Sequence, residues 1–239
     1  MSNKAGLSSS DIVKPVAIPD QVADHLREKI LYRGFKPGQR IVETAIAKQL
    51  KISQATVREA LAKLEDDGLI TRSPNRGCTV SRLTKTEYNQ LFSVRIELET
   101  LAVQLATLHH SQPGVKELST VLRELKNAAK SGQVENFYRA DLKVHRTIWK
   151  LSNNPFLERA LSQLILPLFA FVIFDAVSLP GCDLVGIAQE HEKLADGILA
   201  RDEAHSRNIC RAVLRNFRRA GEVVFDGSAW REDDVVGVD

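Results

Sequence analysis

Between Glu43 and Leu64 the apolar positions fall into two short stripes separated by a polar break. In the first, Ile46, Ala47 and Leu50 share a face; in the second, Val57, Leu61 and Leu64 recur at intervals of four and three, the period of an amphipathic helix. Ser53 stands where the second helix starts, which predicts a side-chain cap on its first free N–H groups. Gln54, Thr56 and Arg58 lie close to that start and off the apolar stripe, where a recognition helix presents side chains to base edges and phosphates. The pattern is that of a helix-turn-helix, and an ordinary helical hairpin with a solvated polar face fits the same spacing.

The flanking sequence narrows this choice. Gly68 closes the second helix, and Leu69-Ile70-Thr71-Arg72 and Cys78-Thr79-Val80-Ser81 read as two strands joined by a turn at Pro74-Asn75-Arg76-Gly77. A basic hairpin directly after a recognition helix is a wing, with Arg76 at its tip and Gly77 letting the main chain come close to its target. Upstream, Val22, Leu26 and Ile30 predict a supporting helix, with a turn out of it at Phe35-Lys36-Pro37-Gly38. Residues 15–83 are therefore expected to form a winged helix-turn-helix that binds double-stranded DNA. Residues 1–14 are expected to be a flexible arm and 227–239 a loose acidic tail.

From residue 84 to 226 the pattern is helical throughout, with segments expected at 84–110, 115–131, 134–152, 155–178 with a bend at Pro167, 183–200 and 202–225. The breaks are assigned to Pro113-Gly114, Ser131-Gly132, Asn153-Asn154-Pro155, Pro180-Gly181 and Arg201-Asp202. An all-α bundle is their natural packing, so the fold class is mainly α. The longest apolar run, Leu164 to Phe174, reads as too short to cross a bilayer, and no basic-then-apolar leader opens the chain, which suggests a soluble protein with no membrane partner. Cys78, Cys182 and Cys210 have no paired or metal-type spacing, as in a reducing cytoplasm, and are assigned no role.

Polar residues interrupt the inward stripes at three places. Asp141 and His145, one turn apart, sit among Val134, Phe137, Tyr138, Leu142, Ile148 and Trp149; His191 sits among Leu184, Ile187, Ala188, Leu194, Ala195 and Ile198. One carboxylate and two imidazoles make a workable metal site with positions open to water or a substrate carboxylate. The alternative is a buried Asp141–His145 ion pair with His191 hydrogen-bonded elsewhere. Arg95, in line with Leu91, Leu98 and Ala102, is placed for bidentate capture of a carboxylate, or for a structural pair with Glu99 one turn on. Arg207, Arg211, Arg215, Arg218 and Arg219 read as a solvated or inter-domain face, and His109 and His110 as a helix C-terminus.

Two resemblances bear on these readings. Lys36-Pro37-Gly38-Gln39-Arg40, Glu43, Val57-Arg58-Glu59-Ala60-Leu61, Asp67-Gly68-Leu69-Ile70 and Asn75-Arg76-Gly77 resemble the N-terminal domain of the GntR family of bacterial transcription regulators. The resemblance implies DNA contacts at Thr44, Ser53, Gln54, Thr56, Arg58, Arg76 and Gly77. Arginine often stands in that family where Thr44 and Gln54 stand here; Gln favours adenine and Arg guanine, so a different half-site is implied. Val94-Arg95-Ile96-Glu97-Leu98-Glu99, Asp141-x-x-x-His145, Asn153-Asn154-Pro155 and Glu190-His191 resemble the FCD ligand-binding domain of the FadR-type branch. There the Asp and three histidines often hold a divalent metal beneath an effector cavity; the position of the last histidine is Val213 here. The resemblance thus implies effector contacts at Arg95, Asp141, His145 and His191, with a weakly bound divalent ion on the last three.

Charge agrees with this division. Residues 15–83 hold twelve basic and eight acidic residues, whereas 84–239 hold nineteen basic and twenty-one acidic ones, so the positive charge lies with the reading head. The expectation is a cytoplasmic repressor that binds a pseudo-palindromic operator as a homodimer and responds to a small organic acid. A metal-dependent hydrolase using Asp141, His145 and His191 is the rival enzyme reading, and no general base or nucleophile accompanies those residues at recognisable spacing. A constitutive architectural DNA binder is disfavoured, since it has no need of polar residues inside a second domain.

Overall fold

The computed structural model describes residues 17–73 and 77–226; the expected arm, the expected tail and the wing-tip residues Pro74, Asn75 and Arg76 lie outside them. The chain opens with α1 (Ile18–Leu31), β1 (Arg40–Ile41), α2 (Glu43–Leu50), α3 (Gln54–Asp66), β2 (Ile70–Ser73) and β3 (Gly77–Val80). Val57, Ala60, Leu61 and Leu64 of α3 are buried against Val22, Ala23, Leu26 and Ile30 of α1. Arg27 ties the far end of this pair by donating to Asp67, the C-cap of α3, at 2.8 and 2.6 Å.

The sheet has three strands where the sequence pattern predicted two. Antiparallel β2 and β3 form the wing, and β1 pairs with the other edge of β3, placing Arg40 opposite Thr79 and Ile41 opposite Cys78. Two residues are too few to show alternation. The pairing is set instead by the Lys36–Gln39 turn, where Gly38 takes a left-handed φ of 76° and its N–H bonds the Val80 carbonyl at 2.8 Å.

The second part is helical: α4 (Lys85–His109), α5 (Gln112–Ser131), α6 (Val134–Leu151), α7 (Pro155–Leu168), a π-helical turn (Phe169–Ile173), α8 (Phe174–Ser178), α9 (Leu184–Leu199) and α10 (Glu203–Asp226). Thr84 and Glu87 cap the start of α4 reciprocally. α4 packs on α6, α7, α9 and α10, and α5 lies across α6 and α9. Trp149, Tyr88, Tyr138, Phe92, Phe137, Phe169 and Phe171 fill the interior.

Three expectations are corrected. Pro113-Gly114 is not a break: both residues sit in the first turn of α5, capped by Ser111, where a missing N–H costs nothing. Nor does the chain simply bend at Pro167. A proline inside a helix removes one N–H and crowds the preceding turn, and here the ladder widens into the π turn before the α register resumes at Phe174. The continuous helical run Pro155–Ser178 is thereby 24 residues long and contains an 18-residue stretch with a mean hydropathy of 2.1. It is long and apolar enough to cross a membrane by length and composition, contrary to the reading from the shorter apolar run. Most of it is buried among the other helices, which is the place of a core helix in the bundle.

Candidate functional site

The reading face is built by two caps. α2 ends on Lys51, which takes a left-handed φ of 55°, and Ser53 then caps α3, its Oγ accepting from the Thr56 N–H at 3.0 Å and sharing a hydrogen bond with Thr56 Oγ1 at 2.8 Å. Thr44, Ser53, Gln54 and Arg58 are exposed, Thr56 is half-buried, and Gly77 opens β3 with φ 83°. Arg58 is anchored from two sides that spacing did not reveal. Its Nε lies 3.3 Å from Glu43 Oε2 on α2, and its carbonyl accepts from Arg72 Nη2 of the wing at 2.8 Å. Arg76 falls outside the described residues.

The second site is a cluster of ionisable side chains inside the bundle. α4 supplies Arg95 and Glu99, α6 supplies Asp141 and His145, and α9 supplies His191; all five are buried. The expected intrahelical Asp141–His145 pair is not the arrangement found. His145 turns to α4 instead, with Nδ1 2.8 Å from Glu99 Oε2, and Asp141 Oδ1 lies 3.1 Å from His191 Nε2 across the helix interface. Asp141 Oδ1 makes no aligned hydrogen bond, so this contact is an ion pair rather than a directed bond.

Hydrogen bonding fixes the His191 tautomer. The Ile187 carbonyl only accepts, so His191 Nδ1, 3.0 Å away, carries a proton and leaves Nε2 for the cluster. Arg95 only donates, and its Nη2 is 3.3 Å from His145 Nε2, while His145 Nδ1 faces Glu99 Oε2 at 2.8 Å. The Asp141, His145 and His191 ligand atoms lie within 4.8 Å of one another. Two imidazoles held from behind by a carboxylate and a carbonyl, facing a carboxylate, form the arrangement that orients metal ligands. The donor set suits a divalent first-row ion. Val213 is buried on α10 and offers no donor.

The Arg95–Glu99 pair foreseen as the structural alternative is formed, at 2.7 Å. With Nε and Nη2 engaged, Arg95 keeps Nη1 as its buried donor without a partner, so a two-pronged grip on a carboxylate requires it to release His145 or Glu99. Trp149, one turn beyond His145, likewise has a buried Nε1 without a hydrogen-bond partner. Arg207, Arg211 and Arg218 pair with Glu203, Glu97 and Glu222, in keeping with a solvated face.

Two family models match the chain. Residues 19–80 match the family model of bacterial regulatory proteins, gntR family, and residues 90–216 match that of the FCD domain. The HTH-type transcriptional regulator YdhC of Bacillus subtilis is 32% identical over 149 residues, covering 62% of this chain and 66% of its own length. The HTH-type transcriptional regulator McbR of Escherichia coli is 30% identical over 152 residues, covering 64% and 69%. The solved structure of E. coli McbR superposes with a TM-score of 0.78 over 88% of this chain and all of that one, at 24% identity.

Burial alone would push the Glu99 carboxyl up, but His145 and Arg95 outweigh it and hold it down to about 2. For Asp141 burial is likewise outweighed, by His191 first, and its carboxyl is lowered; Asp141 in turn raises His191 against the effect of burial. A carboxyl lowered on folding contributes stability that is complete above its unfolded value, near 4.5, and is lost as the pH falls toward 2. Glu99→Gln should therefore lower stability at neutral pH and flatten the loss of stability between these limits. Urea unfolding of metal-stripped protein at a series of pH values checks this, and an acid limb identical to wild type would show that Glu99 is not held ionised.

Proposed function

The chain belongs to the GntR family of bacterial regulatory proteins and carries the FCD domain, and is thus a DNA-binding transcriptional regulator; we propose that it is a ligand-responsive cytoplasmic repressor acting as a homodimer. Its relatives are transcriptional regulators, not enzymes, so the hydrolase reading is set aside. The observation that supports the ligand response is the buried cluster with both imidazole Nδ1 atoms committed elsewhere, His191 Nε2 toward Asp141, and the ligand atoms of Asp141, His145 and His191 within 4.8 Å of one another.

Asp141, His145 and His191 would hold a divalent ion weakly, with positions left for effector oxygens where Val213 gives none. Charge specifies the effector. Arg95 with Glu99 and protonated His191 with Asp141 are balanced; a divalent ion in place of the His191 proton adds one positive charge in a dry site, and an anionic ligand compensates it. The unpartnered donors Arg95 Nη1 and Trp149 Nε1 suit the oxygens of a small organic acid.

A second copy of the chain fits α4. Leu91, Val94, Leu98, Leu101, Leu105 and Leu108 alternate at three and four residues, the seam of paired helices. Val94, Leu101 and Leu108 are 44%, 40% and 46% exposed, and Leu91, Leu98 and Leu105 are half-buried beside them. A two-fold pairing there would place two reading heads on a pseudo-palindromic operator.

Three measurements test this reading. Arg58→Ala should cost about 1–3 kcal/mol in binding to an operator selected from random DNA, with the fold intact; unchanged affinity removes the recognition-helix assignment. Leu101→Glu should convert a dimer to a monomer in sedimentation velocity and weaken operator binding, whereas a wild type that is already monomeric sinks the α4 pairing. Elemental analysis should find substoichiometric divalent metal that chelator removes, and Val213→His should tighten it. Metal-free wild type and variant in excess ion would leave direct capture of the anion by Arg95 and the two histidines as the account.

A further inference from the structure

The π turn Phe169–Ile173 has a different neighbour at each end. At the first end, the Phe169 ring lies edge-on to His145 with centroids 5.6 Å apart, beneath Arg95 at 6.0 Å, and 5.5 Å from Tyr138. Just beyond the other end, Asp175 Oδ2 meets Arg33 Nη2 of the reading head at 2.6 Å, and the same guanidinium lies 5.4 Å from the Phe174 ring. Tyr138 closes the circuit: its ring packs against Phe174 at 5.3 Å and against Tyr32 of the head at 5.7 Å, in both cases nearly perpendicular.

The head side of this contact is strained. Arg33 takes a left-handed φ of 61°, a conformation that an L-residue with a long side chain seldom adopts without tertiary support. Tyr32 and Arg33 follow directly on α1, the helix that packs along α3 and is tied to its C-cap by Arg27 and Asp67. The head is thus gripped at the end of the element that supports the recognition helix.

A π turn is also a discrete two-state element. It holds one residue more per turn than the α register, so its relaxation to α geometry rotates everything beyond it by about 100° around the helix axis and pushes it out by about 1.5 Å. Such a rotation carries Phe174 off Tyr138 and Arg33, and Asp175 off Arg33. Rigid packing at the Phe169 end makes the choice between registers sensitive to what surrounds His145.

We propose that the π turn is the coupling element between the buried cluster and the reading head: with the π register kept, Asp175 and Phe174 hold Arg33 and fix the head, and a change around His145 that displaces Phe169 releases it. This inference rests on the ligand-responsive reading above, but its test needs no ligand. The physical content is a register with two states and one clasp that exists in only one of them, so both ends must affect the same amides.

Hydrogen exchange of the full-length protein, resolved to peptides, reads this directly. Asp175→Asn removes the ionic part of the clasp on a half-exposed side chain, and Phe169→Leu removes the ring at the far end. Each should raise exchange several-fold in residues 28–33, and the double variant should add little to either, because both act through one contact. If Phe169→Leu loosens the bundle while 28–33 exchange as in wild type, or if Asp175→Asn leaves 28–33 unchanged, the proposal is overturned; the second outcome decides even where Phe169→Leu does not fold. Zn2+ added to wild type gives an independent perturbation of the same end. Protection around His145 and His191 without any change at 28–33 also overturns the coupling. An absence of protection at those histidines counts against the metal reading alone, with the two variants still deciding the coupling.

Discussion

The arrangement of the helical domain depends on keeping two positive and two negative charges out of water at once. Arg95, Glu99, Asp141 and His191 are all buried, and isolated burial of any one of them costs several kcal/mol. The cost is offset only when α4, α6 and α9 stand together, since Arg95 and Glu99 come from the first, Asp141 and His145 from the second and His191 from the third. His145 of α6 joins the Arg95–Glu99 pair of α4, with Nδ1 toward Glu99 and Nε2 toward Arg95. Hydrophobic packing alone would let these helices slide by small steps; a charge network with directed bonds fixes one register. The same rigidity would preorganise the proposed ligand site.

The helix that passes over this cluster carries the compromise. Pro167 denies one hydrogen bond, and the ladder recovers by way of the π turn, which sets Phe169 against His145 and, further on, Asp175 against the reading head. Gly68, at the end of α3, lies against the same proline: a Cβ added there would stand 3.3 Å from Pro167 Cγ. One irregular helix therefore touches the buried charge cluster, the support of the recognition helix and the start of the wing strand. Regular α geometry along its whole length would place these contacts on different faces.

Much of this was legible in the sequence, and the failures have definite causes. The stripes of α1, α2 and α3 and the cap at Ser53 are local signals in which period and capping chemistry agree, so the structure repeats them. The strand β1 is two residues long and carries no period at all. Pro113-Gly114 was read as a break because the same dipeptide marks turns, whereas the first helical turn tolerates proline; only Ser111 before it distinguishes the cases. Asp141, His145 and His191 were recognisable as polar residues on apolar stripes, yet their pairing was not. Spacing records neighbours on one helix, and the partners chosen, Glu99 for His145 and His191 for Asp141, lie on others. The π turn has no signal beyond Pro167, since its register is settled by the packing of Phe169 and Phe174.

The two sites differ in how readily their contacts exchange, and this bears on where regulation can act. Arg58 is largely exposed, and its pair with Glu43 at 3.3 Å is the kind of surface ion pair worth about 0–1 kcal/mol. In the proposed DNA contact, a phosphate would displace Glu43 from Arg58 at little cost. The buried network is the opposite case, because removing one partner strands a charge. A ligand that enters it must replace what it takes away, and the strain it leaves passes into packed neighbours rather than into solvent. Control exerted on Arg58 itself would have to work against an interaction too weak to hold it back. Control exerted on the placement of the whole head would instead draw on the rigid part of the molecule, where a displaced contact is not absorbed by solvent.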